Sequence, residues 1–98
     1  MNVYYVQFIV EPQRDNHGFG IFKSAIADMW ICSKDFETAV KKAHEYLEKY
    51  YWSVLKMEPN GYDCTLEQLV ESGKSLLPEV IECMLRGVGC HLTACTED

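Results

Sequence analysis

Ninety-eight residues make one domain: a chain of this length buries roughly 65% of the surface its unfolded form exposes, enough for a single modest core spanning residues 1–98. Hydrophobic residues make up 48% of the chain, against six glycines and three prolines, and that much apolar surface offsets chain entropy and argues against disorder. The net charge of −6 is uneven: residues 1–49 carry six basic and seven acidic side chains, and residues 50–98 carry three and eight. With no basic cluster larger than Lys41-Lys42 to displace counterions from phosphates, no nucleic-acid partner is expected.

Gln7 and Asp28 interrupt the two most hydrophobic segments, so no run approaches the roughly 20 residues that cross a bilayer, and no membrane partner is expected. The N-terminus MNVYYVQFIV has neither a basic leader nor a small-residue cleavage site, which makes a cytoplasmic location the expectation. Five cysteines are an odd number; in a reducing compartment all of them are thiols, buried as small hydrophobes.

Val3–Val10 is rich in β-branched and aromatic residues and reads as a strand, with Tyr4, Val6, Phe8 and Val10 on one face and Val3, Tyr5, Gln7 and Ile9 on the other. Both faces are largely apolar, so both need cover, by helices on one side and by a loop or a partner subunit on the other. The turn-forming EPQRDNHG follows as a hairpin loop whose Arg14, Asp15 and His17 form a solvated tip. Phe19–Ser24 and Met29–Cys32 are then expected as two strands joined by a short link, because SAIAD breaks the alternation between them.

The segment from Asp35 to Tyr51 is the long central helix. Phe36, Ala39, Val40, Ala43, Leu47 and Tyr50 recur at three- and four-residue steps and make one apolar stripe. Asp35 offers the N-cap oxygen, and Glu37 falls in the first turn, where the helix dipole favours an acid. Continued through Trp52, the helix would point the indole away from the stripe. Residues 52–57 are therefore expected as a strand rather than a further helical turn, closed by the Glu58-Pro59-Asn60-Gly61 turn.

Thr65 and Gln68 match a capping box for a short helix from Leu66 to Ser72, with Gly73 as its left-handed stop. Pro78 opens another helix, expected to turn Leu77, Val80, Ile81, Met84 and Leu85 inward, and Gly87 ends it. Val88–Cys95 alternates as a last strand, with Cys90 on one face and His91 and Cys95 on the other. The expected fold is α+β, a two-layer sandwich with an antiparallel sheet of four or five strands. Its order along the chain is β-β-β-α-β-α-α-β, with the central helix at about 35–51 across one face. The run of three strands and a helix resembles small antitoxin-like domains such as the HicB type. The loop motifs that mark that family are absent, and no function is carried across.

Two sets of residues are candidates for a site. Cys83, Cys90, His91 and Cys95 gather soft ligands of the kind tetrahedral zinc takes, but the spacing Cys-x6-Cys-His-x3-Cys lacks the closely paired ligands of a zinc knuckle. A catalytic cysteine needs a partner that stabilises its thiolate, and His91 beside Cys95 is the available pair. No recognisable third group or oxyanion hole accompanies them, so no catalytic residue, metal or cofactor is assigned. Glu67, Glu71, Glu79 and Glu82 lie on the polar faces of two successive helices. With Asp63, Glu97 and Asp98 they give the second half an acidic field that speeds association with a basic protein surface. The functional expectation is a non-catalytic protein-interaction or regulatory module, inhibitor- or antitoxin-like, that binds a protein partner or self-associates as a homodimer. The alternative is a small thiol- and histidine-dependent enzyme or zinc-binding protein.

Overall fold

The computed structural model describes residues 2–95, so Glu97 and Asp98 lie outside the described residues. Asn2–Pro12 forms the longest strand, β1, and its two apolar faces place it at the centre of the sheet. One edge pairs antiparallel with β2 (Ser24–Ser33), Phe8 opposite Ala27 and Gln7 opposite Asp28. The other pairs antiparallel with β3 (Trp52–Met57) along residues 8–12 and with β4 (Tyr62–Cys64) along residues 3–5. Between β3 and β4 the chain hugs β1 so closely that a Cβ on Gly61 would lie 2.9 Å from the Tyr5 carbonyl oxygen. A final strand, β5 (Val88–Cys95), pairs antiparallel with β2, giving the order β3-β1-β2-β5.

The α+β class and the five-stranded antiparallel sheet are those expected from the sequence. The strands are distributed differently along the chain. SAIAD keeps the period of two: Ala25 and Ala27 are both buried, opposite Val10 and Phe8 on β1, so small side chains sit under bulky ones without breaking the ladder. One strand therefore runs from Ser24 to Ser33, and Phe19–Lys23 belongs to a loop of turns in which the Phe22 amide donates to the Gly18 carbonyl at 3.0 Å. Two strands rather than three precede the helix, so the element order behind the likeness to HicB-type domains is not present.

The central helix, α1, spans Phe36–Lys49; the Asp35 carboxylate accepts from the Thr38 amide at 2.7 Å, and that hydrogen bond holds its carboxyl below the usual range. Ala39, Ala43 and Leu47 are fully buried against Tyr4, Val6, Phe8 and Val10 of β1 and Ala25, Ala27, Met29 and Ile31 of β2. At the C-terminus Tyr51 takes φ 65, the left-handed turn that directs the chain into β3 and ends the helix where Trp52 requires.

The opposite face of the sheet is covered by the two shorter helices. α2 (Leu66–Glu71) carries the capping box, with Gln68 N donating to Thr65 Oγ1 at 3.2 Å and Thr65 N to Gln68 Oε1 at 2.9 Å. Gly73 at φ 78 and a 3₁₀ turn over Lys74–Leu76 lead to α3 (Pro78–Arg86), which stops at Gly87, φ 91. Leu69, Val80 and Cys83 pack there on Val3, Trp30 and Cys64 in a second core, so β1 is covered by helices on both faces at this end. The facing of α3 corrects the reading of its stripe. Val80 and Cys83 point inward, while Ile81, Met84 and Leu85 are exposed, Leu85 at 76%. The cause is a backbone contact: α3 crosses β5 at Gly89, where a Cβ would meet the Glu79 carbonyl oxygen at 1.6 Å. A helix seated that low presses only a narrow ridge against the sheet.

Candidate functional site

Where α3 begins, a cleft of about 670 Å³ wraps around β5, lined by α3 from one face of the sheet and by α1 from the other. Glu79 and Glu82 form its acidic wall, Cys90 and His91 line it from β5, and Tyr46 closes it from α1. Four residues singled out in the sequence therefore converge, two from the acidic set and two from the thiol and imidazole set. Arg86 pairs with Glu82 at 3.3 Å, an exposed pair of small energetic weight. Glu67 and Glu71 do not join them; both sit exposed on α2.

The four soft-ligand candidates are not brought together. Cys90 faces the α1 side of β5 and His91 the other, as strand alternation requires. Cys83 is buried in the second core beside Cys32, and Cys95 sits at the far end of β5, opposite Ser24. Among the described residues no group of three His, Cys, Asp or Glu side chains could hold a metal ion. Burial, then the charges of Asp28 and Glu79, push the Cys90 thiol up to about 12, so it keeps its proton at neutral pH and is a poor nucleophile.

Beside the cleft, and sharing Glu79 and His91 with it, lies a smaller cup of about 330 Å³. Asp28 and His91, opposite one another, line it from β2 and β5, and behind them Gln7 lies opposite Asp28 on β1. Asp28 accepts from the Tyr5 hydroxyl and from Gln7 Nε2 at 2.8 Å. Burial, then the neighbouring carboxylate, raise the Tyr5 phenol and keep it a donor. Trp30 and Tyr62 wall the cup, their rings 4.7 and 5.1 Å from that of Tyr5. The cup holds a resident cation. Lys74 Nζ donates to the Tyr62 hydroxyl at 2.9 Å and lies 5.2 Å from the Tyr62 ring and 5.7 Å from the Trp30 ring. Carboxylates beside electron-rich ring faces suit an ammonium or guanidinium group.

This cup was not foreseen. Its only trace in the sequence is the pair of polar interruptions, Gln7 and Asp28, and only the strand register reveals that they are opposite one another. A third hollow, of about 460 Å³, lies where the 13–23 loop docks on the end of α1 through Asn16 Nδ2, which donates to the Tyr50 carbonyl at 3.0 Å.

Beyond the cleft the outer side of β5 is open. Residues 91–94 are exposed, and no strand pairs with that side among the described residues. The two edges of the sheet differ in chemistry. The β1 partner edge carries a register shift between Ile9 and Val10, a lysine at position 56, a break at Pro59 and the three-residue β4. Those devices blunt an edge against further pairing. β5, VGCHLTAC, has no proline and no Asp, Glu, Lys or Arg over eight residues. Compared with known protein families, curated proteins and solved structures, the chain matches none.

Proposed function

We propose that this protein is a non-catalytic interaction or regulatory module that receives an extended, basic segment of a protein partner along the outer edge of β5. The observation that carries this reading is the unguarded, uncharged edge strand lying directly beside the acidic wall of Glu79 and Glu82. A strand added there would gain main-chain hydrogen bonds from β5 and place lysines or arginines against the two carboxylates. Charge favours such a partner over a second copy. A twofold pairing of β5 with itself sets the same surface against itself, and each chain carries −6, so like charges would oppose the contact. The thiol, imidazole and zinc alternative has less support, because Cys83, Cys90, His91 and Cys95 point to different places and Cys90 holds its proton.

The test uses two alternating peptides, one of Lys-Val repeats and one of Glu-Val repeats, titrated into labelled protein and followed by amide chemical shifts. The basic peptide should perturb Val88–Cys95 and Glu79–Glu82, bind more weakly as salt rises, and lose its effect in Leu92→Pro, where the lost amide belongs to the outer edge and not to the ladder with β2. Three results would overturn the reading: no perturbation of β5, equal perturbation by the acidic peptide, or a concentration-dependent homodimer paired through β5.

A further inference from the structure

Five cysteines are free thiols in this structure, and two of them, far apart in the chain, touch. Cys32, next to last in β2, and Cys83, in the middle of α3, place their Sγ atoms 3.5 Å apart across the second core. Each sulfur also lies against a carbonyl of the α3 C-terminal turn, Cys32 Sγ at 3.7 Å from Cys83 O and Cys83 Sγ at 3.9 Å from Gly87 O. Both carbonyls belong to the last turn of α3 and its cap, so the two sulfurs are held at the end of one helix. A disulfide needs its sulfurs about 2.05 Å apart, so closure here asks for a movement of roughly 1.5 Å, within reach of side-chain rotation.

We propose that Cys32 and Cys83 form a reversible dithiol–disulfide site that takes a low-molecular-weight disulfide as its co-reactant. Accessibility sets the order of the steps: Cys32 is partly buried, whereas Cys83 is fully buried. The Cys32 thiol loses its proton and its sulfur attacks one sulfur of the small disulfide. The Cys32 mixed disulfide forms, the S–S bond of the co-reactant breaks, and one small thiolate leaves and takes up the proton. The Cys83 sulfur, giving up its own proton, then attacks the Cys32 sulfur and expels the second small thiol. The protein loses two electrons and two protons, and the co-reactant gains them as two thiols. Burial, reinforced by Cys32, pushes the Cys83 thiol up to about 12, so the second step accelerates as pH rises. The product ties α3 to β2 across 51 positions of sequence and fixes the helix that presents Glu79 and Glu82. The proposal does not depend on the partner reading above.

The experiment incubates the folded, fully reduced protein with oxidised glutathione, blocks remaining thiols with an alkylating agent, and reads intact mass and peptide maps. The expected product is lighter than the reduced chain by about 2 Da before alkylation, a two-proton loss. It has three alkylatable thiols instead of five, a Cys32 peptide linked to a Cys83 peptide, and full reversal by dithiothreitol. Its thermal midpoint should lie above that of the reduced form, because the closed loop restricts the unfolded chain. In Cys83→Ser the reaction should stop at a glutathione adduct on Cys32; the wild-type peptide map stands without that variant if it folds poorly. Five thiols still alkylatable, a glutathione adduct that persists on wild-type Cys32 without closure, or a bridge involving Cys64, Cys90 or Cys95 would each overturn the assignment.

Discussion

At the scale of single residues, Gly89 is the most closely confined of the six glycines, and the reason is space rather than conformation. Its φ is not positive, so alanine would adopt the strand backbone without strain. The added methyl, however, would enter the Glu79 carbonyl and lie 3.1 Å from the Cys83 amide nitrogen, both part of the backbone of α3. Backbone cannot turn aside as a side chain can, so α3 has to lift from the sheet and take Val80 and Cys83 out of the second core. Overpacking of this kind costs about 1–3 kcal/mol and at times more. Gly89→Ala should therefore lower the urea midpoint clearly. Gly20, with φ 84 and open space around its Cβ position, offers the contrast: Gly20→Ala meets only the left-handed backbone penalty of about 1–2 kcal/mol. If Gly89→Ala is neutral in urea denaturation, α3 does not sit as low on β5 as described.

At the scale of elements, what could be read from the sequence was local, and what could not depends on a partner distant in the chain. The start of α1 at Asp35, the capping box of α2, Pro78 at the head of α3 and Gly87 at its end are all signals completed within four residues. The facing of α3 was illegible because the helix carries two stripes at helical spacing, Val80 with Cys83 and Leu77 with Ile81, Met84 and Leu85. Gly89, an unremarkable letter in the next strand, decides between them. The polar row at the cup was hidden in the same way, since Gln7, Asp28 and His91 meet only once the register of three strands is set. Paired substitutions separate the two stripes. Val80→Ser removes fully buried methyls and strands a hydroxyl, and should cost about 2–4 kcal/mol. Ile81→Ser, at a position already 40% exposed, should cost under about 1 kcal/mol. Equal losses in chemical denaturation would return Ile81 to the core.

Across the whole molecule, the weakly acidic groups that burial perturbs most are concentrated in and between the two cores, and they share one sign. Burial is the largest cause in each of Tyr5, Tyr46, Cys64, Cys83 and Cys90, raising every one and carrying the thiols of Cys83 and Cys90 from 9.0 to about 12. A group whose folded pKa lies above its unfolded value keeps its proton longer in the native state. Between about pH 9 and pH 12 the unfolded chain therefore binds fewer protons than the folded one, and stability falls as pH rises through that window. It is fully present below pH 9. The growing negative charge of an already acidic chain acts in the same direction. On the acid side Asp35, lowered by its hydrogen bond to Thr38, works oppositely: its contribution is lost as pH falls, but it is fully exposed and the effect is small. Under reducing conditions the thermal midpoint should be nearly level from pH 6 to 8 and fall by more than roughly 5 °C by pH 10.5. Cys90→Ala removes one buried thiol from the sum, so whatever that substitution costs at pH 7, its midpoint should decline less between pH 8 and 10.5 than the parent's. A parallel decline in the two proteins would mean that Cys90 ionises as readily in the folded cleft as in the open chain, and that the acidic cleft is far wetter than its burial implies.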